Sequence, residues 1–189
     1  MGKRNFFTGF SIYAMCILLF FCLDSNGVFA QRTNVDAAYL ISDGRVGNVE
    51  INMDAGMLKK YFTENQVEEK KVNGKNYSII KVNDDNKKTL MEMETLCADI
   101  CMISRILVYS SLYKTAEGVC VGKSFSDIKK SYSMKGIYGD DNNTYLVYVK
   151  EFKDAAFVLK GTDASVKTGK PYESFEIKDT EPISSIIIF

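Results

Sequence analysis

VCVGKSFSDIKKSY, residues 119–132, decides how the rest of the chain is read. With Gly118 in front, the stretch contains Gly-x-x-x-Gly-Lys-Ser, one residue short of a phosphate-binding P-loop. That motif needs a strand, a glycine-rich loop of fixed length, and a helix whose first amides cradle phosphate. Here the first glycine precedes the apolar run 119–121 instead of lying in the loop. No succession of alternating strands and helices surrounds it. A plainer reading accounts for every residue. Residues 119–121 form a short strand, Gly122 makes the turn, Lys123 is solvated, and Ser124 caps a helix that begins near Phe125. Asp127 stands where the second partner of a capping box belongs. Phe125, Ile128 and Tyr132 follow at helical spacing and make one apolar face.

The same pattern occurs earlier. VEINMDAGMLKKYF, residues 49–62, places Val49 against Val119, Ile51 against Val121, and Asn52 against Gly122. Asp54 then falls on Ser124, Leu58 on Ile128, and Phe62 on Tyr132. Asn and Gly both tolerate a left-handed backbone, and Asp and Ser both cap helices. Downstream, residues 76–94 and 144–160 each read as two strand-like runs around a polar turn, and ISRILVY (103–109) matches ISSIIIF (183–189). Matches in one order imply an internal repeat. The expected fold class is therefore α+β: two tandem repeats, each a short helix packed on an antiparallel sheet of about four strands, with the sheets continuous. The expected divisions are a signal peptide at 1–30, an N-terminal extension at 31–46, repeat 1 at 47–109, a linker at 110–117, and repeat 2 at 118–189.

Alternation assigns the strand faces. Ile80 and Val82, Ile106 and Val108, Val147 and Val149, and Ile186 and Ile188 make an aliphatic face suited to the helices. The opposite face mixes aromatic, aliphatic and charged side chains. On it, Tyr77, Lys81, Arg105, Tyr109, Tyr148 and Phe189 form a candidate interaction face, since Tyr and Arg are enriched where protein interfaces concentrate their energy.

The chain opens MGKRNFFTGFSIYAMCILLFFCLDSNGVFA. A basic start, an apolar run too short for a comfortable membrane span, and a small-x-small site ending at Ala30 have the form of a secretory signal peptide. Two alternatives are lipidation at Cys22, which follows Phe21 instead of a small residue, and an uncleaved N-terminal anchor. Nothing after residue 30 has the length and apolarity of a membrane span. The expected location is outside the cytoplasm, periplasmic or secreted.

Composition excludes several chemistries. The chain has no His and no Trp, which removes His-based triads, Cys-His dyads and His metal sites. Acidic and basic residues balance, with 24 of each, and no basic block suggests nucleic acid. Cys97, Cys101 and Cys120 lie beyond the leader. The spacing of CADIC permits a disulfide between Cys97 and Cys101, and reduced, packed thiols are the other reading. Cys120 lies between two valines and reads as a buried strand residue. Ser131 and Ser133 beside Lys129 and Lys130 are the nearest approach to a His-free hydrolase. Asp84-Asp85 and Asp140-Asp141 sit in polar runs that read as hairpin turns more readily than calcium loops. No cofactor or metal is expected.

The strand-Gly-x-Ser-φ-x-x-φ-Lys-Lys-x-Tyr pattern, where φ is apolar, resembles the G-M-[ST]-x-x-E-V opening of small bacterial envelope proteins. These include outer-membrane-assembly lipoproteins of the SmpA/OmlA type and the β-lactamase-inhibitor-protein fold of two tandem helix-plus-sheet units. Val121, Gly122, Ser124, Ile128 and Tyr132 carry the resemblance, with Ile51, Asn52, Asp54, Leu58 and Phe62 in the first half. Lys123 departs from the usual apolar residue, and Asp127 replaces the usual Glu. The resemblance implies an exported, non-enzymatic binding module, inhibitor-like or assembly-accessory, whose partner is another envelope or secreted protein. A lipid-anchored structural envelope component and a His-free hydrolase are the alternatives.

Overall fold

Runs of alternating apolar residues become the long strands of one large sheet. The computed structural model describes residues 35–72, 76–139, 144–161 and 177–189. The chain divides into two units, Met1–Gln31 and Arg32–Phe189, and every described residue belongs to the second. The eight-stranded antiparallel sheet contains β4 (Val67–Lys71), β5 (Tyr77–Asn83), β6 (Thr89–Cys97), β7 (Cys101–Val108), β9 (Met134–Gly139), β10 (Thr144–Val149), β11 (Ala155–Lys160) and β12 (Ile183–Ile188). Its order is β4-β5-β6-β7-β12-β11-β10-β9. Two four-stranded meanders thus meet edge to edge at β7 and β12. The small sheet holds β1 (Leu40–Ser42), β2 (Arg45–Val46), β3 (Val49–Glu50) and β8 (Lys114–Thr115), in the order β3-β2-β1-β8.

The expected α+β class, with a helix on a sheet in each of two repeats, is overturned. Among the described residues strands dominate. The one α-helix among the described residues is α1 (Phe125–Ser131), and the first-half segment expected to be its equal, Ala55–Lys60, is a 3-10 helix. The small sheet was not anticipated at all. Residues 119–121, expected as a strand, belong to neither sheet, whereas the expected linker supplies β8. The signal peptide, Cys22 and the Asp140-Asp141 turn lie outside the described residues.

The two helical segments differ for a local reason. In α1 the Ser124 side chain accepts from the Asp127 amide, and the Asp127 carboxylate accepts from the Ser124 amide, closing a capping box. In the first half Asp54 caps by accepting from the Gly56 amide, but Met57 stands where Asp127 would be and cannot return the bond. Gly56 also costs a helix about 1 kcal/mol relative to alanine.

One hydrophobic core runs between the layers. Ile41, Val46 and Val49 of the small sheet, Leu58 of the 3-10 helix, and Phe125 and Ile128 of α1 bury in a single cluster with Ile80, Met93, Ile106, Val147, Phe157 and Ile186 of the large sheet. The few buried polar groups in it are satisfied. Ser78 and Thr95 share a 2.9 Å hydroxyl hydrogen bond, and no buried side-chain nitrogen or oxygen among the described residues lacks a partner.

The turns entering the two helical segments share their geometry. Asn52 and Gly122 both have positive φ, 65° and 87°. The Asn52 amide donates to the Ile103 carbonyl, and the Ile103 amide to the Met53 carbonyl. Likewise the Gly122 amide donates to the Ile183 carbonyl, and the Ile183 amide to the Lys123 carbonyl. Each turn is thereby tied to the strand at the seam of its own half, β7 or β12.

Candidate functional site

The P-loop-like turn is a structural device. Its amides are already consumed: Gly122 donates to Ile183, Lys123 to the Cys120 carbonyl, and Ser124 to the Asp127 carboxylate at 2.9 Å. None is left to form a phosphate cradle. Of the residues in the His-free hydrolase reading, Lys129 and the Ser133 backbone have partners of their own. Lys129 pairs with Asp179, the Ser133 amide donates to the Glu151 carboxylate at 2.9 Å, and the Tyr132 hydroxyl donates to Glu117 at 2.5 Å. Burial first, and that bond to Glu117 second, push the Tyr132 hydroxyl pKa well up. The Asp84 carboxylate accepts from the Asn86 and Lys88 amides, so it organises a turn. Among the described residues no group of three or more His, Cys, Asp or Glu is placed to hold a metal ion.

Strand alternation puts Tyr77, Lys81, Arg105 and Tyr148 on the side of the large sheet opposite the core, while Tyr109 and Phe189 directly follow the ends of β7 and β12. Their surroundings differ. Arg105 makes an ion pair with Glu94 across β6 and β7 at 3.2 Å and lies 5.7 Å from the Phe189 ring centre. Lys81 reaches Glu92 at 3.7 Å. Tyr109 has its pKa raised by burial first, then by Glu92 and Glu94. Tyr77 lies half-buried in register with Leu96 at the far end of β5 and β6. Tyr148 stands apart on β10, where its ring meets Tyr138 edge-on at 5.6 Å.

The face is therefore two surfaces side by side. The β5–β7 part carries paired charges of both signs. From the seam onward, Leu107, Ile187, Leu146 and Tyr148 are apolar and only half-buried, and Tyr138 is 60% exposed. Tyr138 was missed in the sequence because β9 is interrupted by Gly136 and shows little alternation.

A second feature lies on the core side of the sheet. A cleft of about 640 Å3 opens between the 3-10 helix, edge strand β4 and the tip of the β6–β7 hairpin. Leu58, Phe62, Val67 and Ile80 line its apolar part, and Lys59 and Asp99 stand among its charged residues. Cys97 and Cys101 form a disulfide that closes the hairpin tip, with Cα atoms 4.0 Å apart, and Cys101 reaches the cleft. Leu96 and Ile100 beside it are 63% and 56% exposed. Cys120 is free and buried. The sequence signal for the cleft was Ala55 standing against Phe125 in the two halves, a large loss of volume at one matched position.

Of the residues matched between the two sequence segments, Asn52 and Gly122 make the turns, Asp54 and Ser124 cap, and Leu58, Ile128 and Tyr132 bury, while Phe62 is left half-buried against the cleft. No helix among the described residues is long and apolar enough to cross a membrane. No protein-family model matches the chain, and no curated protein matches it. Among solved structures, the crystal structure of the uncharacterized protein yfeY from Escherichia coli is similar, with 20% sequence identity and a TM-score of 0.54 over 79% of this chain and 98% of that one. At that identity the likeness is one of fold.

Proposed function

We propose that the protein is an exported, non-enzymatic binding module of the bacterial envelope, and that it engages another envelope or secreted protein through the open face of its large sheet. The observation that carries this reading is the bipartite open face. Leu107 and Ile187 at the seam adjoin the Lys81–Glu92 and Glu94–Arg105 pairs, and Leu146, Tyr148 and Tyr138 lie beyond the buried Ala156 and Val158 of β11. An apolar centre beside polar groups of both signs is the anatomy of a protein interface. A nucleic acid or an anionic lipid surface would call for an excess of positive charge, which this face lacks. Export rests on the leader-like opening of the sequence, and an envelope role is supported by the resemblance carried by Gly122, Ser124 and Tyr132.

The test is a photo-crosslinking amino acid placed at Tyr138 or Tyr148 in the source cell, with Lys135 on the same edge strand as the comparison site. The reading requires one protein crosslinked from both tyrosine positions, lost when Arg105→Ala and Leu146→Ala are added, in chains that keep the parent Tm. Equal crosslinking from Lys135, or loss of Tm together with loss of crosslinking, would overturn it.

A further inference from the structure

The geometry points to the cleft beside the Cys97–Cys101 hairpin as a second binding site, one that takes an aromatic side chain presented by a partner polypeptide. The second half of the molecule has a matching turn, followed by a segment that buries a phenylalanine. The Asn52 and Gly122 turns make the same pair of hydrogen bonds to β7 and β12, and the isolated bridges Asp54–Met102 and Ser124–Pro182 extend that match by one residue pair. Counting on along the sequence, Ala55 corresponds to Phe125, Leu58 to Ile128, and Lys59 to Lys129, although the first segment continues as a 3-10 helix and the second as an α-helix. Counting back from the same bridges, Asp99 corresponds in sequence to Asp179, each three residues before the bridged residue.

In the second half Phe125 fills its site and is only 4% exposed. The Lys129 ammonium lies 4.9 Å from the centre of that ring and pairs with Asp179. In the first half the apolar floor (Leu58, Phe62, Ile80), the cation Lys59 and the carboxylate Asp99 all line the cleft, but Ala55 supplies no ring. Lys59 and Asp99 form no ion pair with each other. The cleft thus gathers an apolar floor, a cation and a carboxylate, the residue types found around the buried Phe125, with alanine at the position that corresponds to that phenylalanine. A cation beside an apolar floor favours an aromatic ring over an aliphatic group of equal size.

The occupant is assigned to a polypeptide because the cleft is bounded on one side by β4, an edge strand of the large sheet. An extended segment lying along such an edge gains backbone hydrogen bonds and places alternate side chains on the core side. The charged rim, with Lys59 and Lys71 against Asp54, Glu69 and Asp99, suits the polar neighbours of such a side chain. This site lies on the opposite side of the sheet from Tyr148 and does not depend on the open-face reading.

The experiment titrates 15N-labelled protein with N-acetyl-Gly-Phe-Gly-amide and follows backbone shifts. The same peptide with Ala or Leu in the centre, and toluene, are the other probes. The expected result is saturable shifts at Ala55, Gly56 and Ile100 with the Phe peptide, little response to the Ala peptide, and weaker binding to the Leu peptide. Ala55→Phe fills the cleft from within, abolishing the response and raising the Tm. Lys59→Ala weakens the Phe peptide by about two- to five-fold and decides the matter should Ala55→Phe not fold. No saturable shift, or an unchanged response in Ala55→Phe, overturns the site. Equal binding of the Leu peptide overturns the aromatic assignment, and toluene binding as tightly as the Phe peptide overturns the polypeptide assignment.

Discussion

Leu107 and Ile187 lie opposite each other at the seam of the large sheet, with Ile106 opposite Ile188 on one side and Val108 opposite Ile186 on the other. Each strand therefore presents the same three-residue pattern to its partner in reverse. Ile106, Val108, Ile186 and Ile188 turn to the core and are at most 1% exposed, whereas Leu107 and Ile187 turn to the open face. Without this seam each meander would expose a strand edge and half of a shared core.

The seam should make the molecule unfold as one unit. Ile188→Ala removes a fully buried side chain and is expected to cost about 2–5 kcal/mol. Urea unfolding followed by tyrosine fluorescence and by far-UV circular dichroism should give coincident transitions in both the parent and the variant. Separated transitions would show that the meanders are independent.

The capping box gives α1 a pH dependence with a definite sign. The Asp127 carboxyl is held below its ordinary value of 3.8, chiefly by the Ser124 amide and next by the Ser124 hydroxyl. A lowered acid contributes stability that is present above its unfolded pKa and is lost as pH falls through its native pKa. Asp127→Asn should therefore destabilise at about pH 7, and its difference from the parent should shrink at about pH 2.5. Ser124→Ala should cost about 1 kcal/mol through loss of the N-cap. Chemical unfolding at the two pH values checks both. An Asp127→Asn deficit that stays constant with pH would rule out the carboxylate as its source.

The sequence made some elements legible and hid others, for physical reasons. Alternation at Ile80 and Val82, at Ile106 and Val108, and at Val147 and Val149 marks strands with one buried face, because those runs are long enough for the period to show. Ser124 and Asp127 marked the start of α1. The small sheet was invisible, since Leu40–Ser42, Arg45–Val46, Val49–Glu50 and Lys114–Thr115 are two or three residues long and have no readable period. The first helix was misjudged because Leu58 and Phe62 keep helical spacing while Met57 and Gly56 withhold the cap and the propensity. Alternation was readable at Tyr77, Lys81, Arg105 and Tyr148, which share one side of the sheet, but Tyr138, 60% exposed, lies on a strand without readable alternation.

The paired turns make the same backbone demand but meet it with different residues. Gly122 has φ of 87°, and a Cβ there would meet no atom within 4 Å. Gly122→Ala should thus cost only the left-handed backbone penalty, about 1–2 kcal/mol. Asn52, at φ 65°, already bears that strain, so Asn52→Gly should be neutral or stabilising and Asn52→Val should destabilise more than Gly122→Ala does. Midpoints of urea unfolding at constant slope would establish the order.

The Cys97–Cys101 bond closes the β6–β7 hairpin across a sequence separation of 4. Closing so short a loop stabilises by about 2 kcal/mol when no strain opposes it. The double change Cys97→Ala with Cys101→Ala should lose about that much, and so should reduction of the parent. The loss should be local in its dynamics. Strand pairing from Met91–Val108 to Leu96–Met102 holds β6 to β7, and the Ser78–Thr95 hydroxyl pair is buried below the tip. Hydrogen exchange should therefore quicken at Cys97 and Ala98, whose amides donate to Asn76 and Ile100, and stay slow at Met93 and Ile106. Faster exchange reaching Met93 would mean that the disulfide supports the whole first meander. No change at Cys97 would mean that strand pairing alone fixes the tip, and with it the position of Asp99 at the cleft.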